Sequence, residues 1–267
     1  MLYSEISPHH TLEVLDLPLL GKGLKVDEEL RFTEADVAIF AEMAAHVPAF
    51  LHSDPKRALV LGGGDGSLVR ELLKHSSIEQ IIVVDEDQAI TRVCKEFFPE
   101  VAQSLSSPRV KLHFKPEQDW VEPEYSKGIE NFDLILVDQS PLKRINSEEA
   151  LSHFFENLKA KLNENGIVVL SAESPFFSAE TQKQLASNLK QHFKRLHFYN
   201  YTNLSLPGGL GSIALACEGW HPVDDLKRER VLSSGLDTDY YNLGIHEGAF
   251  MLPEFQKKNL EAHLNPI

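Results

Sequence analysis

Three aspartates and one run of glycines carry the chemistry that is legible in this sequence. Ala58 to Leu61 is a short apolar run, followed at once by Gly62, Gly63 and Gly64, then by Asp65 and Gly66. Leu68, Val69, Leu72 and Leu73 come next at helical spacing. The pattern predicts a strand, a tight glycine turn and a helix. Glycines there allow positive φ and let a ligand come close to the backbone. N–H groups at a helix start can receive polar ligand atoms. A second strand, Gln80 to Val84, ends in Asp85, Glu86 and Asp87. An acid at that place, about 20 residues past the glycines, is where nucleotide-binding sheets hold ribose hydroxyls. Asp85 is the candidate, and Gly62 and Gly64 are the candidate backbone contacts. A carboxylate inside the turn would repel a pyrophosphate, so Asp65 suits a ligand with an amine or a sulfonium. That favours an S-adenosyl compound over a dinucleotide. The plainer reading of Asp65 is a helix cap, and the two roles are compatible. The third acid, Asp138, ends the apolar run Phe132 to Val137.

These acids need a scaffold that brings them to one rim. Strand and helix patterns alternate from residue 57 onward: helix Ala89–Phe98 before Pro99, strand Val110–Phe114, strand Phe132–Val137, and helix Ser147–Leu162 closed by Asn165-Gly166. Strand Ile167–Leu170, helix Thr181–Phe193 and strands near His197–Tyr201 and Ser212–Cys217 complete the series. Such alternation predicts an α/β fold with a doubly wound, parallel-rich sheet. In that fold ligands bind beyond the carboxyl ends of the strands, which puts Asp65, Asp85 and Asp138 around one crevice. Clustered carboxylates attract a cation and raise one another's pKa, and a raised carboxylate suits a general base. The plainer alternative is solvated rim acids. Ahead of this, Tyr3–Phe32 reads as a hairpin of two or three strands turning at Gly21-Lys22-Gly23, with a helix over Val37–Val47. Too small to bury both faces, the hairpin must pack on the main domain or on a second subunit. The predicted domains are residues 1–50, a small β-domain with its linking helix, and 51–267.

The 267 residues are enough for one large domain with an appendage. A formal net charge of −14 disfavours nucleic acid and anionic membrane as partners and is compatible with a cationic small substrate. Cys94 and Cys217 have no metal-type spacing and suggest no disulfide framework. The start, MLYSEISPHH, lacks a signal-peptide pattern, and no apolar run is long enough to span a bilayer. An acidic cytoplasmic protein is expected. His113 and His246 are read as packing or hydrogen-bonding groups rather than bases. Trp120 and Phe176-Phe177 are read as core.

At this point the residues resemble a family, the spermidine synthases or polyamine aminopropyltransferases. The resemblance runs from about His9 to Phe255 and rests on LGGGDGSLVREL at Leu61–Leu72 and on DYYNLGIHEGAFMLPEF at Asp239–Phe255. Thr33-Glu34, Asp36 and Glu42-Met43 echo the family's TERDEF.Y.EM segment. A generic methyltransferase shares the glycine turn but not the closing motif. The resemblance implies a Rossmann-like catalytic domain of the class I methyltransferase type, a small N-terminal β-domain and a homodimer. It implies transfer of an aminopropyl group from decarboxylated S-adenosylmethionine to putrescine or another amine, leaving 5′-methylthioadenosine. No prosthetic group or metal is implied, because the sulfonium is already a good leaving group. Asp65 would bind the donor's amine, Asp85 the ribose, and Asp138 would deprotonate the attacking amine. Tyr240 would orient that amine. An amine attacks only when neutral, so a base is needed, and positioning two cations needs acids.

The sequence departs from the family pattern at several of these places. The second acid of the family's D-x-x-D-P motif is Pro141, with Lys143 and Arg144 close by, and positive charge there would repel a polyamine. The family's GDG turn, whose Asp contacts adenine, reads Lys115-Pro116-Glu117, so Glu117 or Asp119 would replace that contact with a shifted loop. Phe40 stands where the family has a tyrosine, His10 where it has a donor-contacting glutamine, and Asp85 where it usually has Glu. Two other functions follow from these departures. One is an S-adenosylmethionine-dependent transferase with an altered donor or acceptor, in which Lys115, Lys143 or Arg144 meets a carboxylate. The other is a non-catalytic homologue.

Overall fold

The computed structural model describes residues 1–138 and 142–267. Its larger sheet has seven strands: β5 (Arg57–Leu61), β6 (Gln80–Asp85), β7 (Val110–Phe114), β8 (Phe132–Val137), β9 (Leu162–Ser171), β10 (Arg195–Thr202) and β11 (Leu210–Cys217). They lie in the order β10-β11-β9-β8-β5-β6-β7, and only β11 runs antiparallel to its neighbours. A strand covered on both faces needs an unbroken apolar run, which is why β8 reads FDLILV and is buried throughout. Alternate side chains feed two cores. Val60, Val83, Leu134 and Leu136 face one, while Leu59, Leu61, Ile82 and Ile135 face the other. The strand order reverses between β5 and β8, so the crevice above their carboxyl ends receives Gly62–Asp65 and Asp138 together.

The helices are α1 (Val37–Leu51), α2 (Ser67–Leu73), α3 (Gln88–Phe97), α4 (Pro99–Ala102), α5 (Glu117–Val121), α6 (Glu148–Ala160), α7 (Ala179–His192), α8 (Arg228–Ser233), α9 (Leu243–Ala249) and α10 (Glu254–Leu260). The strand and helix series expected from residue 57 onward is present, with one local difference. Helix α6 ends at Ala160, and Asn165-Gly166 lie inside β9 rather than capping the helix. Phe176 and Phe177 are exposed, Phe176 stacking on Phe255 at 4.6 Å, so neither is core. Trp120 is core, and both cysteines are buried and free.

The N-terminal unit is larger than a hairpin. It is a four-stranded antiparallel sheet of β1 (Tyr3–Ile6), β2 (Thr11–Leu17), β3 (Gly21–Val26) and β4 (Glu29–Thr33). Leu12, Val14, Leu24, Val26 and Phe32 fall on one face and pack on Ala89, Ile90, Val93 and Cys94 of α3. The appendage thus closes its open face on the main domain. Ser7 Oγ donates to Asp87 at 2.5 Å and Lys22 Nζ to the Phe97 carbonyl at 2.7 Å, fixing the docking. Helix α1 lies in the core of the main domain, where Tyr199 Oη donates to the Met43 carbonyl at 3.1 Å.

Candidate active site

The glycine turn is built around Asp85. The Gly64 N–H donates to Asp85 Oδ2 at 2.8 Å, and the Asp87 N–H donates to Oδ1 at 2.9 Å. A Cβ on Gly64 would stand 2.7 Å from Asp85 Oδ2, so only glycine permits this approach. Gly62 and Gly66 have φ of 80° and 91°, the left-handed region a tight turn requires. Asp65 Oδ1 accepts from the Ser67 N–H at 2.6 Å, but the N-cap of α2 is Gly66, so Asp65 sits just ahead of the cap, and its side chain lines the crevice.

Two adjoining cavities occupy the rim, and Asp65 lines both. One is bounded by Arg31, Phe40, Asp65, Asp138, Ser171, Tyr201 and Asn203, among others. The other is bounded by Leu24, Val26, Arg31, Gly62, Asp65, Asp85, Ile90 and Arg144. The three aspartates read from the sequence therefore converge. Burial pushes the Asp85 carboxyl up to about 6; the N–H groups of Asp87 and Gly64 oppose this, and the charges of Asp65 and Asp138 add to it. Burial also pushes Glu117 up to about 7, helped by Asp85 and opposed by Arg144. Glu117 stands beside Asp85's strand end, accepting weakly from the Glu86 N–H at 3.3 Å. His10 joins the same side: its Nδ1 contacts Asp27 at 2.5 Å, and its Nε2 is 3.9 Å from Glu86.

Lys115, Lys143 and Arg144 are disposed differently from their place in sequence. Arg144 pairs with Glu86, and with Glu117 at 3.1 Å. Lys143 pairs with Glu29, and Lys115 lies over the Tyr125 ring at 5.9 Å. Charge-paired or turned outward, these three do not present the bare positive charge expected of them. Pro141 lies outside the described residues. The cation that lines both cavities is Arg31 of β4, which forms an ion pair with Asp138. Burial works against its charge, yet Asp138 above all, then Asp65, Asp85 and Glu29, hold it protonated beyond its ordinary range.

Tyr240 does not line the Asp138 cavity. Its hydroxyl accepts from the Thr202 N–H at 3.1 Å, behind the strand that carries Tyr201 into that cavity. Tyr201 rests on Phe40 with ring centroids 5.6 Å apart. The segments that echo the family are joined in space. Glu42 accepts from the N–H groups of Asp239, Tyr240 and Tyr241 at 2.8, 2.9 and 2.7 Å. Asp36 ties the end of β4 to the loop after β10 by accepting from the Thr33 and Ser205 N–H groups. His246 bonds Tyr241 Oη at 2.8 Å and the Pro222 carbonyl at 3.2 Å, a packing role.

Residues 37–220 match the spermine/spermidine synthase domain. The chain belongs to the spermine/spermidine synthase family. It is 34% identical over 266 residues to the polyamine aminopropyltransferase of Moorella thermoacetica, covering 98% of this chain and 90% of that one. It is 31% identical over 262 residues to the polyamine aminopropyltransferase of Streptococcus pneumoniae, at 97% and 90% coverage. Among solved structures it superposes on the spermidine synthase of Thermotoga maritima with a TM-score of 0.88 at 29% identity, covering 97% and 87% of the two chains. A spermidine synthase bound to the transition-state analogue AdoDATO gives a TM-score of 0.90 at 29% identity, with 98% and 87% covered. No helix among the described residues is long and apolar enough to cross a membrane. Within this family fold, Arg31, Ser171, Tyr201 and Asn203 are crevice residues that the sequence reading missed. Only Ser171 had a usable signal, as the last residue of a central strand.

Proposed function

We propose that this chain transfers the aminopropyl group of decarboxylated S-adenosylmethionine to putrescine or another amine. The observation that carries this is the meeting of two cavities at Asp65, with Asp85 on one side and Asp138 on the other. The donor's adenosine lies along Gly62, Gly64, Asp85, Glu117 and His10, with the ribose hydroxyls on Asp85. The aminopropyl ammonium meets Asp65. The acceptor nitrogen enters by Phe40 and Asp138, with Tyr240 supporting the Tyr201 wall. Asp138 takes the acceptor's proton, and the freed lone pair attacks the carbon next to sulfur. The carbon–sulfur bond breaks, and its electron pair neutralises the sulfonium to give 5′-methylthioadenosine. Membership of the family and the AdoDATO-bound neighbour support the donor. Assembly as a homodimer in the cytoplasm is proposed with it, on the family resemblance.

The test is release of 5′-methylthioadenosine from the decarboxylated donor with a panel of amines. Asp138→Asn is expected to lower turnover about 10²- to 10⁴-fold, the usual worth of a positioned base, while nucleoside binding persists. Failure to release the nucleoside with every amine tried would count against the transferase.

A further inference from the structure

Between the two cavities stand two charged side chains of opposite sign. Arg31 and Asp65 are the residues common to both linings. Arg31 comes from the N-terminal sheet, 107 positions before the Asp138 it pairs with. Its side chain is 14% exposed and that of Asp138 is 7% exposed, so the pair sits largely out of water. Two more polar groups face the Asp138 side. Ser171 and Asn203 are 3% and 4% exposed, and Ser171 Oγ and Asn203 Oδ1 have no hydrogen-bond partner among the described residues.

A plain diamine is a poor match for this arrangement. Its ammonium would meet Asp138 beside a guanidinium that already holds Oδ2, and like charges at such range repel strongly outside bulk water. A carboxylate is a good match. Guanidinium presents a rigid fork of donors that suits a carboxylate in bidentate fashion, and such charge-assisted bonds are the strong ones. An acid and a base side by side, Asp65 and Arg31, are complementary to the ammonium and carboxylate of an α-amino acid. Buried polar atoms normally find partners: the Ser171 hydroxyl can donate to the carboxylate, while Asn203 Oδ1, an acceptor, can meet only the ammonium of such a group.

We infer that Arg31 is a specificity-determining residue that reads a carboxylate on the substrate at the point of transfer. The inference rests on the transferase reading and narrows its substrate class to one containing an α-amino acid group. When that carboxylate takes the guanidinium, Asp138 is released to accept the proton of the attacking nitrogen. The same carbon–sulfur bond breaks and the same carbon–nitrogen bond forms; where the carboxylate is on the donor, the group moved is 3-amino-3-carboxypropyl in place of aminopropyl. The carboxylate enters on the acceptor or on the donor, and matched pairs separate the two. Ornithine is putrescine with an α-carboxylate, and S-adenosylmethionine is the decarboxylated donor with one.

The experiment is calorimetric binding to the full chain. Ornithine and putrescine are compared on protein saturated with 5′-methylthioadenosine, and the two donors are compared on free protein. One carboxylated member is expected to bind about 10- to 150-fold more tightly than its partner, the range for a charge-assisted contact. Arg31→Gln should erase that preference and Arg31→Lys should keep part of it, with thermal melts confirming that both variants fold. No carboxylate preference in either pair, or a preference unchanged in Arg31→Gln, overturns the inference. The wild-type comparison decides even if the variants do not fold. Release of 5′-methylthioadenosine is scored separately. Turnover with putrescine and no carboxylate preference sinks this inference and leaves the transferase standing. A preference without turnover in any combination does the reverse.

Discussion

Lowering the pH should release the nucleoside from this protein. Asp85 is buried and its carboxyl titrates near 6. Ribose hydroxyls donate hydrogen bonds, and an ionised carboxylate accepts them better than a protonated one. Binding therefore requires loss of one proton below about pH 6. At pH 5 roughly one molecule in eleven carries ionised Asp85, so affinity should fall about tenfold from its plateau, or about 1.4 kcal/mol. Glu117 titrates near 7 on the same side, and if it too binds in ionised form the profile steepens toward two protons per ligand. The two carboxyls interact, so the observed midpoints belong to the pair. Calorimetry with 5′-methylthioadenosine, a ligand that carries no sulfonium charge, from pH 5 to 8 measures both slope and plateau. Asp85→Asn adds an internal control. Its amide nitrogen would face the N–H of Gly64 or of Asp87, both donors that now need an acceptor. One unmade bond in a buried site costs about 1–3 kcal/mol, and the pH dependence should flatten. A level profile in the wild type, or a variant that binds and titrates as the wild type does, refutes the assignment of Asp85 to the ribose.

Gly64→Ala places a methyl 2.7 Å from Asp85 Oδ2, so Asp85 must move; titration should show weaker nucleoside binding, and melting a loss of about 1–3 kcal/mol. Glu42→Ala strips the acceptor from three backbone N–H groups of the closing segment and should cost about 3 kcal/mol or more, read as a melting point lower by roughly 6–12 °C. Both His197 ring nitrogens lack hydrogen-bond partners among the described residues, and burial first, then the charge of His221, lowers its pKa to about 4. The unfolded chain therefore binds this proton more readily. The stability at stake is fully present above pH 6.5 and is lost as pH falls toward 4. His197→Leu should stabilise by about 1 kcal/mol at pH 8 and by about 2 kcal/mol more at pH 5, and equal gains at both pH values would refute the buried neutral imidazole.

Much of the catalytic domain is legible in sequence because its strands are buried on both faces. An apolar run such as Phe132–Val137 has no other good place to go, and the observed β8 has those bounds. The glycine turn and the acids at strand ends follow from local geometry, since a carboxyl end of a central strand opens on the crevice wherever the sheet is parallel. The N-terminal sheet was underestimated because exposed and half-buried strands alternate weakly. β1 shows no fully buried residue. Asn165-Gly166 reads as a helix stop, yet Leu162 and Ile167 on either side of it pair with β8 and carry the stretch as an irregularity inside β9, a case of tertiary context overriding a local signal.

The residue types, their order and their strand-end positions were enough to determine an acidic crevice at the strand ends of an α/β sheet. Which charges face one another was decided only by the docking of the two sheets. Nothing local to Arg31 says that it meets Asp138, nothing local to Arg144 says that Glu86 and Glu117 neutralise it, and nothing local to Glu42 says that it receives the closing segment. A side chain's periodicity tells which face it takes, but an ion pair depends on the distance between elements far apart in the chain. That distance is set by the packing of β2, β3 and β4 side chains on α3, and it is this packing that puts a guanidinium at the centre of an acidic site.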